Sequence, residues 1–308
     1  MSDFASTPAT TARTWGEFLP TPARLRIVII AALLTFVYWN TIRYSMVEKW
    51  IVDGDWSHGW LIPAFSLYFL ASRRDQLFAA RVQPNWWGGL ILVLSLAVYF
   101  LAPFVFNSAY PPALSMVGAL FGVTLLLCGW AVMRIAWFPI LFLVLAVPIP
   151  DSVYVRLTMP QQIFASKAAA TIMPWFAPGL YTEAQAVVID YMIPGKPPGR
   201  LNVEEACSGM RMMMAFVTLG VAMAYLGERP WWQRLIMIAS CVPIAVLCNT
   251  IRVTTTGLLF VHDKPEWGKG TPHQLLGIAM LAIALGLYAL VGYVLSHLFI
   301  EEPAADAA

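Results

Sequence analysis

The chain has 308 residues, of which 59% are hydrophobic and only 12% are charged. Soluble domains carry about 25% charged residues, so this composition argues against a soluble protein and predicts a polytopic membrane protein. The formal net charge of +2 is too small to indicate a nucleic-acid partner.

The apolar runs predict an all-α membrane protein with about eight transmembrane helices. A membrane-crossing helix needs about 20 predominantly apolar residues, and the second and fifth runs are shorter than that. The predicted spans are 27–46, 60–72, 86–106, 112–131, 135–149, 210–226, 234–251 and 274–298. Residues 1–24 contain no apolar segment typical of a signal peptide, so we expect the first span to act as an uncleaved insertion signal.

Basic residues in the short connections predict the orientation, because Lys and Arg concentrate on the cytoplasmic side. Alternate connections contain arginine, at positions 13, 24, 26, 73, 74, 81, 134, 229 and 234. The connection at 107–111 contains neither Lys nor Arg. We therefore expect a cytoplasmic N-terminal segment (1–24), a single membrane domain (25–299) and a cytoplasmic tail (300–308).

Residues 150–209 form the long segment outside the predicted spans, and the orientation assigns them to the outer face. Residues 160–175 have the pattern of an amphipathic helix at the membrane surface. The following residues indicate a β-hairpin with a strand, a turn and a return strand, at 185–193, 194–199 and 200–203. We expect this small extracytoplasmic cap to lead the chain to Cys207.

Polar residues lie at the outer ends of three successive spans. Cys207 precedes one span, Arg252 follows the next, and His273 precedes the last. Because each span reverses the direction of the chain, these three residues are expected on the same membrane face. A thiol, a guanidinium and an imidazole at one interface are the components of a site with a cysteine nucleophile.

Cys207 lies in a polar neighbourhood at a predicted helix N-terminus. The positive end of the helix dipole and Arg211 both favour the thiolate, which is the reactive form. Gly209 allows an unusual backbone turn, and free N–H groups near Ser208 and Gly209 could hold an oxyanion. The alternative is a small residue that packs at the mouth of a helix.

Arg252 follows an uncharged run at 235–248. An arginine at such a depth is costly unless it is paired or faces a wet cavity, although its side chain could instead extend to the interface. Asn249 lies three residues earlier, so both side chains project from one helical face. This spacing is compatible with a shared polar site.

His273 has the chemistry of a general acid or base near neutral pH. A lone histidine at the interface is more often a solvated residue at a helix start. Three nearby residues are alternatives for the same role: His58, His262 and Asp263. His297 lies near the opposite face.

We expect no metal site and no cofactor other than membrane lipid. The chain has four cysteines, but no C-x-x-C pair and no His/Cys spacing typical of a zinc site. Cys128, Cys241 and Cys248 lie inside apolar runs, where free cysteine behaves as a small hydrophobic residue.

Several short segments share the order and spacing of one known family. They are SHGWLIP at 57–63 followed by Arg73 and Arg74, VPIP at 147–150, ACSG at 206–209, the N-x-x-R pair Asn249 and Arg252, and His273. On these segments the chain resembles the exosortase/archaeosortase family of multispan membrane proteins over residues 25–297.

The resemblance implies a cysteine protease or transpeptidase in the inner membrane of a bacterium, with its active site on the periplasmic face. Its partners would be exported proteins whose C-terminal sorting tail has a Pro-containing motif, a transmembrane helix and a basic cluster. Cleavage would pass through a Cys thioester, with the acceptor unknown. In some relatives these partners are surface proteins made alongside exopolysaccharide.

The resemblance also implies roles for individual residues. Cys207 would be the nucleophile, Arg252 the electrostatic partner and His273 the acid and base. Five residues are expected to support catalysis or substrate binding: Asn249, Ser208, Gly209, Arg211 and His58.

Three other classes of function compete with this one. A transporter would use Arg252 as a gate and would need further ionisable residues near mid-membrane, where the last three spans have essentially none. A non-catalytic scaffold for exopolysaccharide assembly would tolerate Cys207→Ser. A lipid-pyrophosphate phosphatase has less support, because no segment resembles a phosphate-binding loop.

Overall fold

A computed structural model describes residues 21–106, 108–203, 209–227, 229–262 and 270–298. Within these ranges, the side chains at 22–23, 209–212 and 270–274 are not described. The described chain is mostly helical with one small sheet. It forms two compact units, and each is treated separately below.

Unit 1 comprises residues Met1–Val52 and Gly59–Pro148 and is helical where it is described. Its helices are α1 (Thr21–Val37), a π-helical segment (Thr41–Val47), α2 (Glu48–Val52), α3 (Leu61–Ser72), α4 (Arg74–Ala79), α5 (Trp87–Phe106), α6 (Tyr110–Phe142) and a 3-10 turn (Leu143–Ala146). Another 3-10 helix, Gly54–Trp60, lies at the boundary between the units.

The predicted first span, 27–46, is bent rather than continuous. Arg24–Val37 and Thr41–Val52 meet at an angle of 68°. Helix kinks occur where side chains interrupt the backbone hydrogen bonds, and here the Tyr99 hydroxyl donates to the Val37 carbonyl at 2.8 Å. The bend therefore depends on a tyrosine 62 residues away in sequence.

The predicted fourth and fifth spans, 112–131 and 135–149, form one element that breaks at Gly129. This glycine has φ 76° and ψ −174°, which is outside the helical region. A Cβ at this position would collide with the Gln83 carbonyl oxygen, so the break requires glycine. The Gln83 N–H donates to the Cys128 carbonyl at 3.1 Å, which holds the neighbouring segment against the break.

The structure supports a multi-pass membrane protein but does not confirm eight spans. In the described part of the chain, four helices are long and apolar enough to cross a membrane, or five if the bent pair is one span. The four are Trp87–Phe106, Tyr110–Ala146, Trp231–Val261 and Leu275–Leu298. The predicted span 60–72 corresponds to a helix of 12 residues, which is short for a crossing. The predicted span 210–226 corresponds to the helix Gly209–Leu226, which has 18 residues and is not among the four.

Unit 2 comprises Asp53–His58 and Ile149–Ala308, and it contains every candidate site residue. Its elements are α7 (Asp151–Phe176), β1 (Tyr181–Gln185), β2 (Val188–Met192), β3 (Gly199–Asn202), α8 (Gly209–Leu226), α9 (Trp231–Ala239), α10 (Cys241–Val261) and α11 (Gly270–Leu298). We call α7 and the sheet the cap, and we call α8 to α11 the bundle.

The bundle is held together by one apolar cluster from all four of its helices. Its buried members are Phe216, Ala224, Met237, Cys241, Ile244, Ala245, Cys248, Met280, Ala284, Tyr288 and Leu295. Small residues allow the helices to approach closely, as is typical of membrane helix pairs. Gly220, for example, lies against Cys241 and Tyr288, and a Cβ there would collide with the sulfur.

The sheet is a three-stranded antiparallel meander in the order β1-β2-β3. Its inner face buries Ile189 and Leu201 against Ala165 and Ala169 of α7. A second attachment comes from Thr182, whose hydroxyl donates to the Ala170 carbonyl at 2.5 Å. The sheet is thus fixed on the helix that precedes it.

The predicted cap was right in outline and wrong in detail. The predicted strand 185–193 contains a tight turn at Ala186, where φ is 53°, and β2 covers only its second part. β1 was not predicted, because the sequence YTEAQ lacks an apolar alternation. β3 matches the predicted return strand at 200–203, and the predicted helix at 160–175 extends over Asp151–Phe176.

Candidate functional site

The structure describes the candidate site residues to different extents. Cys207 and Ser208 lie outside the described residues, two and one positions before α8 begins at Gly209. For Gly209, Arg211 and His273 the structure gives the helix to which each belongs but not the side chain. Asn249, Arg252 and His58 are fully described.

Contacts with α11 fix the axial position of the neighbouring helices. Cys248 of α10 lies against Met280, with 3.9 Å between its sulfur and the Met280 carbonyl oxygen. Gln233, at the other end of the α9–α10 segment, lies against Leu295. The contact of the lower-numbered residue, Gln233, is with the higher-numbered position of α11, so α10 and α11 are antiparallel.

Arg252 and His273 therefore lie at nearly the same height in the bundle. Arg252 is four residues beyond Cys248, which places it level with position 276 of α11. His273 is three residues before position 276 in α11, a separation of about 4.5 Å at 1.5 Å per residue. The prediction that these residues share one end of the bundle agrees with this register.

The start of α8 lies at the same height. The Tyr288 hydroxyl donates to the Phe216 carbonyl at 2.9 Å, and Gly220 also contacts Tyr288. Arg229, beyond the end of α8, donates to the Gly292 carbonyl at 2.8 Å, so α8 and α11 are parallel. Gly209 is 11 residues before Gly220, about 16 Å along the helix, which brings it close to the level of Arg252.

The polar residues of α10 lie between its two packing surfaces. At about 100° per residue, the helix directs Cys241, Ile244 and Cys248 to the bundle core, and Val253, Gly257 and Val261 to the cap. Asn249, Arg252 and Thr256 fall between these two surfaces, on one side of the helix. We call these three residues the polar seam.

All three seam side chains are buried. Asn249 is 3% exposed, Arg252 is 2% exposed and Thr256 is fully buried. This burial argues against the alternative in which Arg252 extends to the aqueous interface. A buried arginine in a membrane helix is costly and indicates a functional site.

Hydrogen bonding distinguishes Thr256 from its neighbours. The hydroxyls of Thr250, Thr254 and Thr255 each donate to the carbonyl four residues earlier, at 2.8–2.9 Å. In the described part of the chain, the Thr256 hydroxyl has no hydrogen-bond partner. Both amide atoms of Asn249 also lack a partner there. The sequence indicated Asn249 but did not separate Thr256 from the other threonines.

His58 belongs to the same unit as the seam, although the chain before Asp53 and the chain from Gly59 to Pro148 belong to unit 1. It is buried, and its ring centre lies 5.7 Å from that of Trp56. Trp56 in turn lies 5.7 Å from Tyr154 of α7. Trp56 and His58 therefore lie on the cap side of unit 2, a position that the sequence did not predict.

Two further histidines, His262 and His297, contact the backbone of their own helices. The His262 ring is exposed and its Nδ1 lies 2.8 Å from the Leu258 carbonyl oxygen. The His297 ring makes the same contact with Tyr293 at 2.9 Å, near the opposite end of α11 from His273. Asp263 lies outside the described residues.

No group of three or more His, Cys, Asp or Glu side chains that could hold a metal occurs within the described ranges. Two charged residues of the sheet, Asp190 and Arg200, lie on the face opposite to Ile189 and Leu201. Arg200 donates to Asp190 at 2.8 Å, and this hydrogen bond raises the pKa of Arg200. The depression of about 520 Å³ that contains this pair is not lined by the polar seam.

Comparison with known families gives one match. A family model described as transmembrane exosortase (Exosortase_EpsH) matches residues 50–290. This range covers more than three quarters of the chain and includes every candidate site residue. Neither the curated proteins nor the solved structures gave a significant match.

Proposed function

Because the chain belongs to the transmembrane exosortase family, we propose that it is a membrane-embedded cysteine protease or transpeptidase. Its substrates are exported proteins with a C-terminal sorting tail, composed of a Pro-containing motif, a transmembrane helix and a basic cluster. The protein cleaves the tail through a thioester on Cys207 and transfers the product to an acceptor or to water.

The observation that carries this proposal is the burial of Arg252. Arg252 is 2% exposed, on a helix that is long and apolar enough to cross a membrane. The starts of α8 and α11 lie at the same height, and these helices begin just after Cys207 and just before His273. A buried cation at this level supports a site that stabilises negative charge.

The proposed reaction uses these three groups in sequence. The Cys207 thiolate attacks the scissile carbonyl carbon, and Arg252 stabilises the oxyanion with backbone N–H groups near Ser208 and Gly209. The C–N bond breaks as His273 gives a proton to the departing amine. His273 then takes a proton from the acceptor, which attacks the thioester and releases the Cys207 thiolate.

The proposed orientation places this chemistry at the periplasmic face of the inner membrane. In this proposed orientation, the arginine-rich connections would lie on the cytoplasmic side and the candidate site on the other. A substrate helix would enter laterally from the lipid and present its motif at the outer interface. Arg211, about one turn after Cys207, would further favour the Cys207 thiolate.

The test is substrate trapping with a tail-bearing protein co-expressed with this chain. Mass spectrometry of the Cys207 peptide should detect an acyl adduct in the native protein, and the adduct should accumulate in His273→Ala. Cys207→Ala should abolish cleavage. Cys248→Ala is the matched control, because this cysteine is buried in the bundle core of the same unit, and it should cleave normally.

Three results would contradict the proposal. Normal cleavage by Cys207→Ala would exclude this residue as the nucleophile. If tail-bearing proteins are not cleaved by any form of the chain, while Cys207→Ser supports exopolysaccharide assembly, the protein is a non-catalytic scaffold. Flux of a substrate across vesicles containing Cys207→Ala would instead indicate a transporter.

A further inference from the structure

Two buried side chains of the polar seam have no task in the proposed chemistry. Asn249 is 3% exposed and Thr256 is fully buried, and neither has a hydrogen-bond partner in the described part of the chain. A buried polar group without a partner is destabilising, and nearly all such groups in folded proteins are satisfied. These two side chains are therefore candidates for contact with a bound molecule.

Their separation matches the repeat of an extended polypeptide. Asn249 and Thr256 are seven residues apart on one face of α10, about 10.5 Å along the helix axis. An extended chain rises about 3.3 Å per residue, so about three residues of a bound peptide would connect the two side chains. Arg252 lies between them, at the position proposed for the oxyanion.

Their chemistry also matches a peptide main chain. The Asn249 carboxamide has both donors and an acceptor, and the Thr256 hydroxyl can donate and accept. A peptide group likewise offers one N–H and one C=O. Neither side chain is charged, so the pair suits a neutral main chain better than a carboxylate or a phosphate.

The packing of α10 supports this assignment. The hydroxyls of the neighbouring threonines already donate to carbonyls of their own helix, so they have no free donor for a bound molecule. The unpartnered groups occur only on the side between the cap surface and the bundle surface of α10 in the described structure. A peptide in this position would run along α10 past Arg252.

We propose that Asn249 and Thr256 are substrate-binding residues that hold the main chain of the sorting motif in an extended form on either side of the cleaved bond. This inference rests on the proposed function, since it takes a polypeptide as the substrate. Recognition of the main chain is independent of side-chain identity, so Asn249 and Thr256 fix the register of the substrate rather than its sequence.

The first experiment measures the thermal stability of purified protein in nanodiscs. Asn249→Leu and Thr256→Val should raise the melting temperature, because each removes an unsatisfied buried polar group. Thr254→Val is the matched control, because its hydroxyl already donates to the Thr250 carbonyl at 2.8 Å, and this variant should show no increase. A lower melting temperature for both seam variants would overturn the proposal, since their polar groups would then be satisfied within the fold.

The second experiment measures binding of a synthetic tail peptide to the Cys207→Ala protein. Asn249→Leu and Thr256→Val should each weaken binding by about tenfold, whereas Thr254→Val should not. Replacement of one main-chain amide of the motif by an ester removes a single N–H donor. This change should weaken binding to the Cys207→Ala protein but have no further effect in the seam variant that has lost the matching acceptor.

The outcomes separate the two proposals. If the tail is cleaved by native protein but the seam variants bind it normally, the main-chain site is wrong and the proposed function stands. Both seam variants could lose affinity while each ester-substituted peptide weakens binding as much in them as in the Cys207→Ala protein. The effect of the variants would then be indirect, and the main-chain site would again be wrong. If native protein neither binds nor cleaves any tail, both proposals fail.

Discussion

The two halves of α10 show how one membrane helix serves two purposes. From Cys241 to Cys248 its buried residues are small or apolar and fill the core of the bundle. From Asn249 to Val261 the same helix buries an amide, a guanidinium and the hydroxyls of three threonines. The first half stabilises the bundle, and the second half retains buried polar groups that folding alone does not require.

The comparison predicts that mutations in the two halves affect different properties. Changes in the first half should lower stability, while changes in the polar seam should lower activity with little loss of stability. The following variants are ordered by the size of the expected effect.

Arg252→Lys should have the largest effect. Lysine keeps the charge but lacks the planar, forked donors of arginine, so we expect a loss of about 10²–10³-fold in the rate of acyl-adduct formation. The melting temperature should change little. Single-turnover kinetics with a tail substrate measure the rate, and Arg234→Lys, in α9, is the control. Equal losses in both variants would show that Arg252 has no special role.

Gly220→Val tests the prediction for the first half of α10, because Gly220 of α8 packs against Cys241. The added side chain would collide with the Cys241 sulfur and with Tyr288, and overpacking of this kind costs about 1–3 kcal/mol. Thermal unfolding in nanodiscs measures the loss. Gly286→Ala is the matched control in the same bundle, because a Cβ there meets no atom within 4 Å, and it should be neutral or slightly stabilising.

Tyr288→Phe tests the same prediction with a smaller change, because Tyr288 lies in the bundle core beside the first half of α10. It removes the hydrogen bond of 2.9 Å to the Phe216 carbonyl, which should lower the free energy of unfolding by about 1 kcal/mol. Activity below the unfolding temperature should be unchanged. Tyr293→Phe, on the exposed side of α11, serves as the control. A loss of activity without a loss of stability would contradict the division between the two halves.

The sequence was sufficient to predict the elements that depend on local pattern. The spans at 86–106 and 274–298 coincide with helices because their apolar runs are long and uninterrupted. The common height of Arg252 and His273 followed from the reversal of successive spans. Both predictions need only the length of a helix and its direction.

The features that the sequence did not predict depend on distant contacts. The 68° bend after Val37 involves Tyr99, and the break at Gly129 involves Gln83. Neither glycine nor tyrosine is rare in membrane helices, so no local pattern marks these positions. In the site, Thr256 differs from Thr254 and Thr255 only in the partner of its hydroxyl, which the residue type does not reveal.

The burial of Trp56 against Tyr154 has a consequence for biogenesis. Trp56 is 1% exposed in the finished protein, yet its ring partner is synthesised about 100 residues later. At about 5–20 residues per second, the ribosome needs roughly 5–20 s to reach Tyr154. During this interval the segment Asp53–His58 lacks the rest of its unit, so Trp56 reaches its buried position only after Tyr154 has been synthesised.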